Sequence, residues 1–239
     1  GIRDYKVTGV QTCALPILSF GGDGTLLNTV AHVENKKINI LGVNVGKLGF
    51  LSFDFNDVFE KLIDDIVKKN YTIEKRSLVT LHNGDELIKK NFALNEISIR
   101  KKDSSSMIKI HCYVDDKFFC TYWSDGLIVS TPTGSTGYSL SCGGPILTPN
   151  AENLLITPIS PHNLGLRSVV ISDNSIIKLK LENQKHNFLV SMDSRSYTFR
   201  GDHELTIQKC HFKINLIHPN NFDFFETLRK KLNWGFDLR

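Results

Sequence analysis

The sequence predicts an α/β domain followed by a larger β-rich, sandwich-like domain. Three observations carry that reading. An apolar segment near residue 18 runs into Gly21-Gly22-Asp23-Gly24-Thr25 and then into Leu26, Leu27, Val30 and Ala31, which spells a strand, a glycine-rich turn and one face of a helix. From Tyr71 onward the hydrophobic period changes to two. Residues 167–217 then break into short strands at Asp173-Asn174, Asn183-Gln184 and Gly201-Asp202, the spacing of a β-sandwich.

Each element has its own signal. Ile38 to Val43 is a short strand leading into a loop, Asn44 to Phe50, at a strand end where ligands gather in open α/β sheets. Asn56 to Lys69 reads as an amphipathic helix capped by Asn56, with Val58, Phe59, Leu62, Ile63, Ile66 and Val67 as its core stripe. Leu78 to His82, Asn83-Gly84 and the segment from Leu87 read as a hairpin with a type I′ turn. Phe92 to Arg100 continues as one strand in which the pair Asn95-Glu96 interrupts an apolar run. Met107 to Val114 and Lys117 to Trp123 form a second hairpin, with Asp115 and Asp116 as solvated turn residues. Leu127 to Val129 is a buried strand that Pro132 and Gly134 must end, and Tyr138 to Cys142 supplies one or two helical turns. Leu154 to Thr157 is a strand ending at Pro158, and Phe224 to Lys231 is a C-terminal helix. The expected division is 1–70 for the α/β domain, 71–220 for the β-rich domain and 221–239 for a helix packing back on the first.

Composition narrows the class. With 239 residues, 41% hydrophobic and 23% charged, the chain is ordinary globular material with enough length for one large or two small domains. The net charge of +4 is spread without basic blocks, which argues against a nucleic-acid protein and suits small anionic ligands. Five cysteines at 13, 112, 120, 142 and 210 form no CxxC pair, and their odd number fits free thiols in a reducing cytoplasm. No apolar run approaches the ~20 residues that span a bilayer. No His and Cys cluster has zinc-ligand spacing.

Two stretches carry chemistry. The turn Gly21 to Thr25 presents backbone amides and the positive end of a helix to a phosphate. Asp23 is out of place there unless it holds a divalent cation, removes a proton from an attacking hydroxyl, or caps the helix. The second stretch, Asp125-Gly126 through Tyr138, crowds Ser130, Thr131, Thr133, Ser135 and Thr136 around Pro132 and Gly134, so that a ligand can approach the backbone closely. His162 reads either as a base or as a structural loop histidine, with Asp23 the better base. Phe50 reads equally as a core aromatic, and Asn95-Glu96 as an exposed polar edge.

Together these stretches resemble the NAD kinase family. Gly21-Gly22-Asp23-Gly24-Thr25, Leu48-Gly49-Phe50, Asn95-Glu96, Thr131-Pro132-Thr133-Gly134-Ser135-Thr136-Gly137-Tyr138 and Thr157-Pro158-Ile159-Ser160-Pro161-His162 follow that family's order over about residues 18–236. The first motif alone is shared with diacylglycerol-type lipid kinases. The resemblance implies a Rossmann-like N-terminal domain, ATP and NAD as substrates, Mg²⁺ or another divalent cation with the ATP, and a homodimer or homotetramer. It implies that Gly21, Gly22, Gly24 and Thr25 cradle the donor phosphates and that Phe50 borders the nucleotide. Asn95 and Glu96 would grip the ribose, Asp125 would meet the nicotinamide end, and Thr133, Thr136, Gly137, Tyr138, Ser141, Ser160 and His162 would complete the NAD site. The matching Asp193 opens an Asp-Gly pair in the family, and Ser194 replaces that glycine here.

Two rivals stand beside this reading: a lipid kinase, and a shortened NAD-binding remnant without turnover. Residues 1–17 have no period, and the run Gly9 to Ile17 resembles translated sequencing-adapter read-through. They are expected to be a foreign start joined to a shortened N-terminal domain.

Overall fold

The computed structural model describes residues 15–46, 49–54, 59–82, 88–102, 107–181, 187–220 and 222–235. The expectations for residues 1–14, the cap at Asn56, the turn Asn83-Gly84 and the break Asn183-Gln184 lie outside them, as do the side chains of Val58, Phe59 and Leu62. The elements run β1 (Ile17–Phe20), α1 (Asp23–Val33), β2 (Asn39–Asn44), β3 (Phe53–Asp54), α2 (Phe59–Val67), β4 (Tyr71–His82), β5 (Phe92–Ala93) and β6 (Glu96–Lys101). They continue with β7 (Ile108–Val114), β8 (Lys117–Ser124), β9 (Gly126–Ser130), a 3₁₀ turn at Thr133–Thr136, α3 (Tyr138–Ser141) and β10 (Asn153–Ile159). Last come β11 (Val169–Ser172), β12 (Ile177–Leu181), β13 (Asn187–Met192), β14 (Arg195–Arg200), β15 (His203–Pro219) and α4 (Phe224–Leu232).

The predicted fold class holds. β1, β2 and β3 are parallel, as an α/β unit requires, and α1 buries Leu26, Val30, Ala31 and Val33. The strands form a nine-stranded and a six-stranded sheet, the second ordered β11-β10-β9-β6-β13-β14. Between them lies a core that includes Ile97, Ile99, Leu127, Val129, Leu179, Phe188 and Ile207. β15 is the strand that the periodicity could not place. Its 17 residues pair antiparallel with β4 along most of their length, and Asn215 and Leu216 within it also pair parallel with β2. The α/β strands and much of the β-rich half therefore share one continuous sheet.

Two local expectations are corrected. β4 meets β5 with Val79 opposite Ala93 and Thr80 opposite Phe92. The single strand Phe92 to Arg100 is two: β5 belongs to one sheet and β6 to the other, and the chain crosses over at Leu94-Asn95. The strand read as ending at Pro158 continues to Ile159, because Pro158 lies beyond the last residue paired with β11 and its missing N–H costs no ladder bond on that side.

The turn aspartates are also more than solvated. Both adopt positive φ, 50° and 63°, as a type I′ turn demands. Asp115 accepts from Ile176 N and Ser175 Oγ, and Asp116 pairs with Lys178. A bulge in the same hairpin sets Cys112 opposite Cys120, both free thiols.

Phe188 is completely buried and stacks on Phe199 with ring centroids 5.5 Å apart. Phe188→Ala should cost about 3–5 kcal/mol in urea unfolding. Phe118 is 58% exposed, and Phe118→Ser should stay within about 0.5 kcal/mol of the parent.

Candidate active site

Asp23 is the first residue of α1, and the side chain does not cap that helix, whose N-cap Gly22 makes no side-chain bond. The carboxylate instead collects the loop after β2. Phe50 N donates to Oδ2 at 2.8 Å, and Leu51 N and Ser52 Oγ donate to Oδ1 at 3.1 and 3.3 Å. A Cβ on Gly49 would lie 2.1 Å from Asp23 Oδ1, so only glycine lets the loop close over the carboxylate. The capping alternative for Asp23 thus fails on geometry. Phe50 is half-buried rather than in the core, with Lys231 Nζ of α4 5.0 Å from its ring centre.

The second half of the site is built where the chain changes sheets. At that crossing the amides of Leu94, Asn95 and Glu96 lose their ladder partners. The Asp193 carboxylate takes all three, at 2.8, 2.9 and 3.3 Å. Asp193 itself sits at φ 51° in the β13–β14 turn, and Ser194 is not among the positive-φ residues. The left-handed backbone therefore falls on the aspartate, and serine fits where a glycine was anticipated. Ser194 Oγ then donates to Asn28 Oδ1 of α1 at 2.8 Å, and Lys90 Nζ reaches Ala31 O of the same helix. The helix that carries Asp23 is docked on the turn that holds Asn95-Glu96.

The glycine-rich segment closes around this pair. Thr131 N donates to Asn95 O, and Thr131 Oγ1 donates to Leu94 O at 2.6 Å. A Cβ on Gly134 would meet Asn95 O at 2.1 Å, which excludes any other residue there. Tyr138 N donates to the Glu96 carboxylate. Among the described residues, the buried side-chain atoms Asn95 Oδ1 and Glu96 Oε2 have no hydrogen-bond partner. Burial, reinforced by the nearby Asp193 charge, pushes the Glu96 carboxyl up to about 8, and burial raises Asp193 as well.

The remaining candidates fall around β9 and its neighbours. Asp125 precedes β9 while the glycine-rich segment follows it, so five strand residues separate them. α3 folds back: Arg100, whose strand partner is Gly126, lies with its guanidinium 5.8 Å from the Tyr138 ring centre. Asp125 is paired with Lys101 at 2.6 Å, and its N–H donates to Ile159 O, beside exposed Ser160. His162 is exposed, donates its backbone N–H to Trp123 O, and meets the Trp123 ring edge-on. Thr136 Oγ1 donates to Thr133 O, Gly137 N to Gly134 O, and Ser141 is exposed at the end of α3. Thr133 is buried, and its hydroxyl accepts from Arg76 at 3.2 Å.

Sequence reading gave no role to Arg76, Lys101 or Ser52. Arg76 alone left a signal: it shares the inward face of β4 with Leu78 and Thr80, where a charge is out of place.

An α/β unit opening on a glycine-rich turn, joined to a β-sandwich with buried unpaired oxygens beside a second glycine-rich loop, defines a nucleotide-binding phosphotransferase. The ATP-NAD kinase N-terminal domain profile matches residues 11–71, and the ATP-NAD kinase C-terminal domain profile matches residues 94–219. The NAD kinase of Flavobacterium psychrophilum is 50% identical over 226 residues, 93% of this chain and 77% of that one. The NAD kinase of Cytophaga hutchinsonii is 46% identical over 224 residues with the same coverage. Among solved structures, an Archaeoglobus fulgidus NAD kinase in complex with ATP superposes with a TM-score of 0.80 at 30% identity, covering 92% of this chain and 83% of that one. Yeast NADH kinase complexed with NADH gives 0.84 at 26%, covering 95% and 68%. The chain belongs to the ATP-NAD kinase family. It is a kinase that phosphorylates NAD to NADP at the expense of ATP, and neither the lipid-kinase reading nor that of an inert remnant is favoured.

The folded protein keeps the Glu96 proton to about pH 8, while the unfolded chain releases it near the ordinary value of 4.5. The parent therefore loses stability as pH rises between those values, and Glu96 makes no further difference above them. The melting-temperature gap in favour of Glu96→Gln should widen from about pH 5 to about pH 8 and then level off. A gap independent of pH would contradict the assignment.

Proposed function

We propose that Asp23 takes the proton from the 2′-hydroxyl of the adenosine ribose as that oxygen attacks the terminal phosphorus of ATP and ADP leaves. The backbone amides of Gly21, Gly22, Gly24 and Thr25 and the N-terminus of α1 would hold the donor phosphates. Asn95 and Glu96 would hold the ribose. Their buried, unpartnered oxygens carry this reading, because such atoms are costly unless a ligand supplies the missing partners. Ribose hydroxyls both donate and accept, so they suit the Asn95 carbonyl oxygen and a Glu96 carboxyl that carries its proton. Asp125, Tyr138, Thr133, Thr136, Gly137, Ser141, Ser160 and His162 would complete the NAD contacts, and Phe50 would border the nucleotide.

Magnesium or another divalent cation is proposed with the ATP, where it neutralises charge on the transferring phosphoryl group. Among the described residues no three His, Cys, Asp or Glu side chains gather to form a metal cage. A single carboxylate plus substrate phosphates suffices for magnesium. Asp23 accepts three hydrogen bonds and offers about four lone-pair sites, so the one left would serve either the ribose proton or the ion, and in the second case the phosphates and water would supply the ion's other ligands.

The division at residues 70 and 220, a cytoplasmic location and assembly into a homodimer or homotetramer belong to the same proposal. The free thiols among the described cysteines support the location. Exposed Phe119 and Trp123 on β8, at the end of its sheet, support self-association. No described helix is long and apolar enough to cross a membrane.

Asp23→Asn should leave NAD binding intact and lower turnover by about 10² to 10⁴, the range of general acid–base help. Asparagine also offers one acceptor where three donors converge, so a second variant separates chemistry from loop support. Ser52→Ala removes one loop contact and keeps the charge, and should cost turnover about tenfold at most. Turnover near the parent's in Asp23→Asn, at saturating NAD and ATP, would reject the chemical role.

A further inference from the structure

Arg76 reaches the glycine-rich loop from inside the protein. It is only 2% exposed. One guanidinium nitrogen donates to Glu74 Oε2 at 2.7 Å and another to Thr133 Oγ1 at 3.2 Å. Glu74 Oε2 also lies 2.7 Å from His218 Nε2, at the end of β15. His218 stacks on Phe222 with centroids 4.3 Å apart and meets Phe53 edge-on at 5.4 Å. Phe53 follows Ser52, which donates to Asp23. A line of buried and half-buried contacts thus runs from the Asp23 loop to the Thr133 loop.

The arginine decides what the Thr133 hydroxyl can do. A hydroxyl has one proton and two lone pairs, and a guanidinium only donates. With an Arg76 N–H on one lone pair, the Thr133 proton points away from the guanidinium. The neighbouring Thr136 hydroxyl bonds the Thr133 carbonyl, not its hydroxyl. No acceptor for the Thr133 proton occurs in the hydrogen bonds among the described residues. A buried cation is costly to hold, and an apolar residue could fill the same space. What the cation adds is a fixed donor behind Thr133.

We propose that Arg76 is a positioning residue that presents the Thr133 hydroxyl as a donor to an acceptor oxygen of bound NAD. The proposal rests on the reading of Thr133 as an NAD contact. The competing explanation is that Glu74, Arg76 and His218 merely staple β4 to the end of β15.

The test is a double-mutant cycle with Arg76→Lys and Thr133→Val, read as KM for NAD, KM for ATP and kcat, with NAD affinity measured by calorimetry. Lysine keeps the charge beside Glu74 but has one nitrogen where arginine uses two. Arg76→Lys should raise KM and Kd for NAD about tenfold, with kcat and KM for ATP within about twofold of the parent. Thr133→Val should do the same, and the double variant should be no worse than Thr133→Val alone. Effects that multiply, or an Arg76→Lys variant with unchanged NAD affinity, would overturn the proposal.

Should Arg76→Lys not fold, Glu74→Gln keeps the arginine but loosens its anchor. It should raise Kd for NAD in the parent and not in Thr133→Val, and an equal rise in both backgrounds would overturn the proposal. A parent protein that binds NAD without forming NADP would count against the kinase reading while leaving the calorimetric cycle decisive for Arg76.

Discussion

The site depends on one carboxylate accepting three backbone amides. Where the chain leaves the nine-stranded sheet at Ala93 and enters the six-stranded sheet at Glu96, Leu94, Asn95 and Glu96 have N–H groups with no ladder to join. Burying three free amides would be prohibitive, since each costs about 1–3 kcal/mol unsatisfied. Asp193 satisfies them all from a turn about a hundred residues away in sequence. It thereby sets the backbone of Asn95-Glu96, to which Thr131 and Gly134 are then fitted at hydrogen-bond and van der Waals distance.

That same turn ties the site's halves. Ser194 bonds Asn28 on α1, and Asp23 opens α1. Arg195, next in the chain, donates to the carbonyls of Lys90 and Phe92, the segment leading to the crossing. Phosphoryl transfer rewards this rigidity, because the protein acts mainly by positioning reactants and offering preorganised charge. A donor loop and an acceptor pocket built on independent elements would lose that alignment. Here both are referred to one β-turn and to β15, which pairs with β4 and β2 in a single sheet.

The electrostatics are arranged around carboxylates of different character. Asp23 is partly exposed and surrounded by donors. Glu96 is buried beside Asp193 and keeps its proton near neutrality. Glu74 is different again: burial pushes its carboxyl up, but the His218 ring nitrogen 2.7 Å away and the Arg76 charge outweigh this and hold it below the usual range. Environments this distinct let one site present an acceptor, a proton-bearing group and a structural ion pair side by side.

The sequence by itself determined the local elements and nominated the candidate site residues. Period and punctuation placed α1, β2, β9 and α4, and the spacing of Gly21 to Thr25 and Thr131 to Tyr138 marked two glycine-rich loops as candidates for ligand binding, because those signals live within a dozen residues. Only the tertiary structure decided what joins them. β15 carries alternating side chains that say nothing of a partner, so its pairing with both β4 and β2 was invisible. The strand through Asn95-Glu96 looked continuous because a sheet crossing leaves the hydrophobic pattern intact and changes only the hydrogen-bond partners. Asp23 read as a base or a metal holder with capping as the alternative, and only the loop at 50–52 folded against its carboxylate removes the cap. Arg76 on an apolar face and Ser194 in place of glycine were anomalies in one dimension. Both are explained by contacts with residues far away in the chain, Thr133 and Asn28, which no local period encodes.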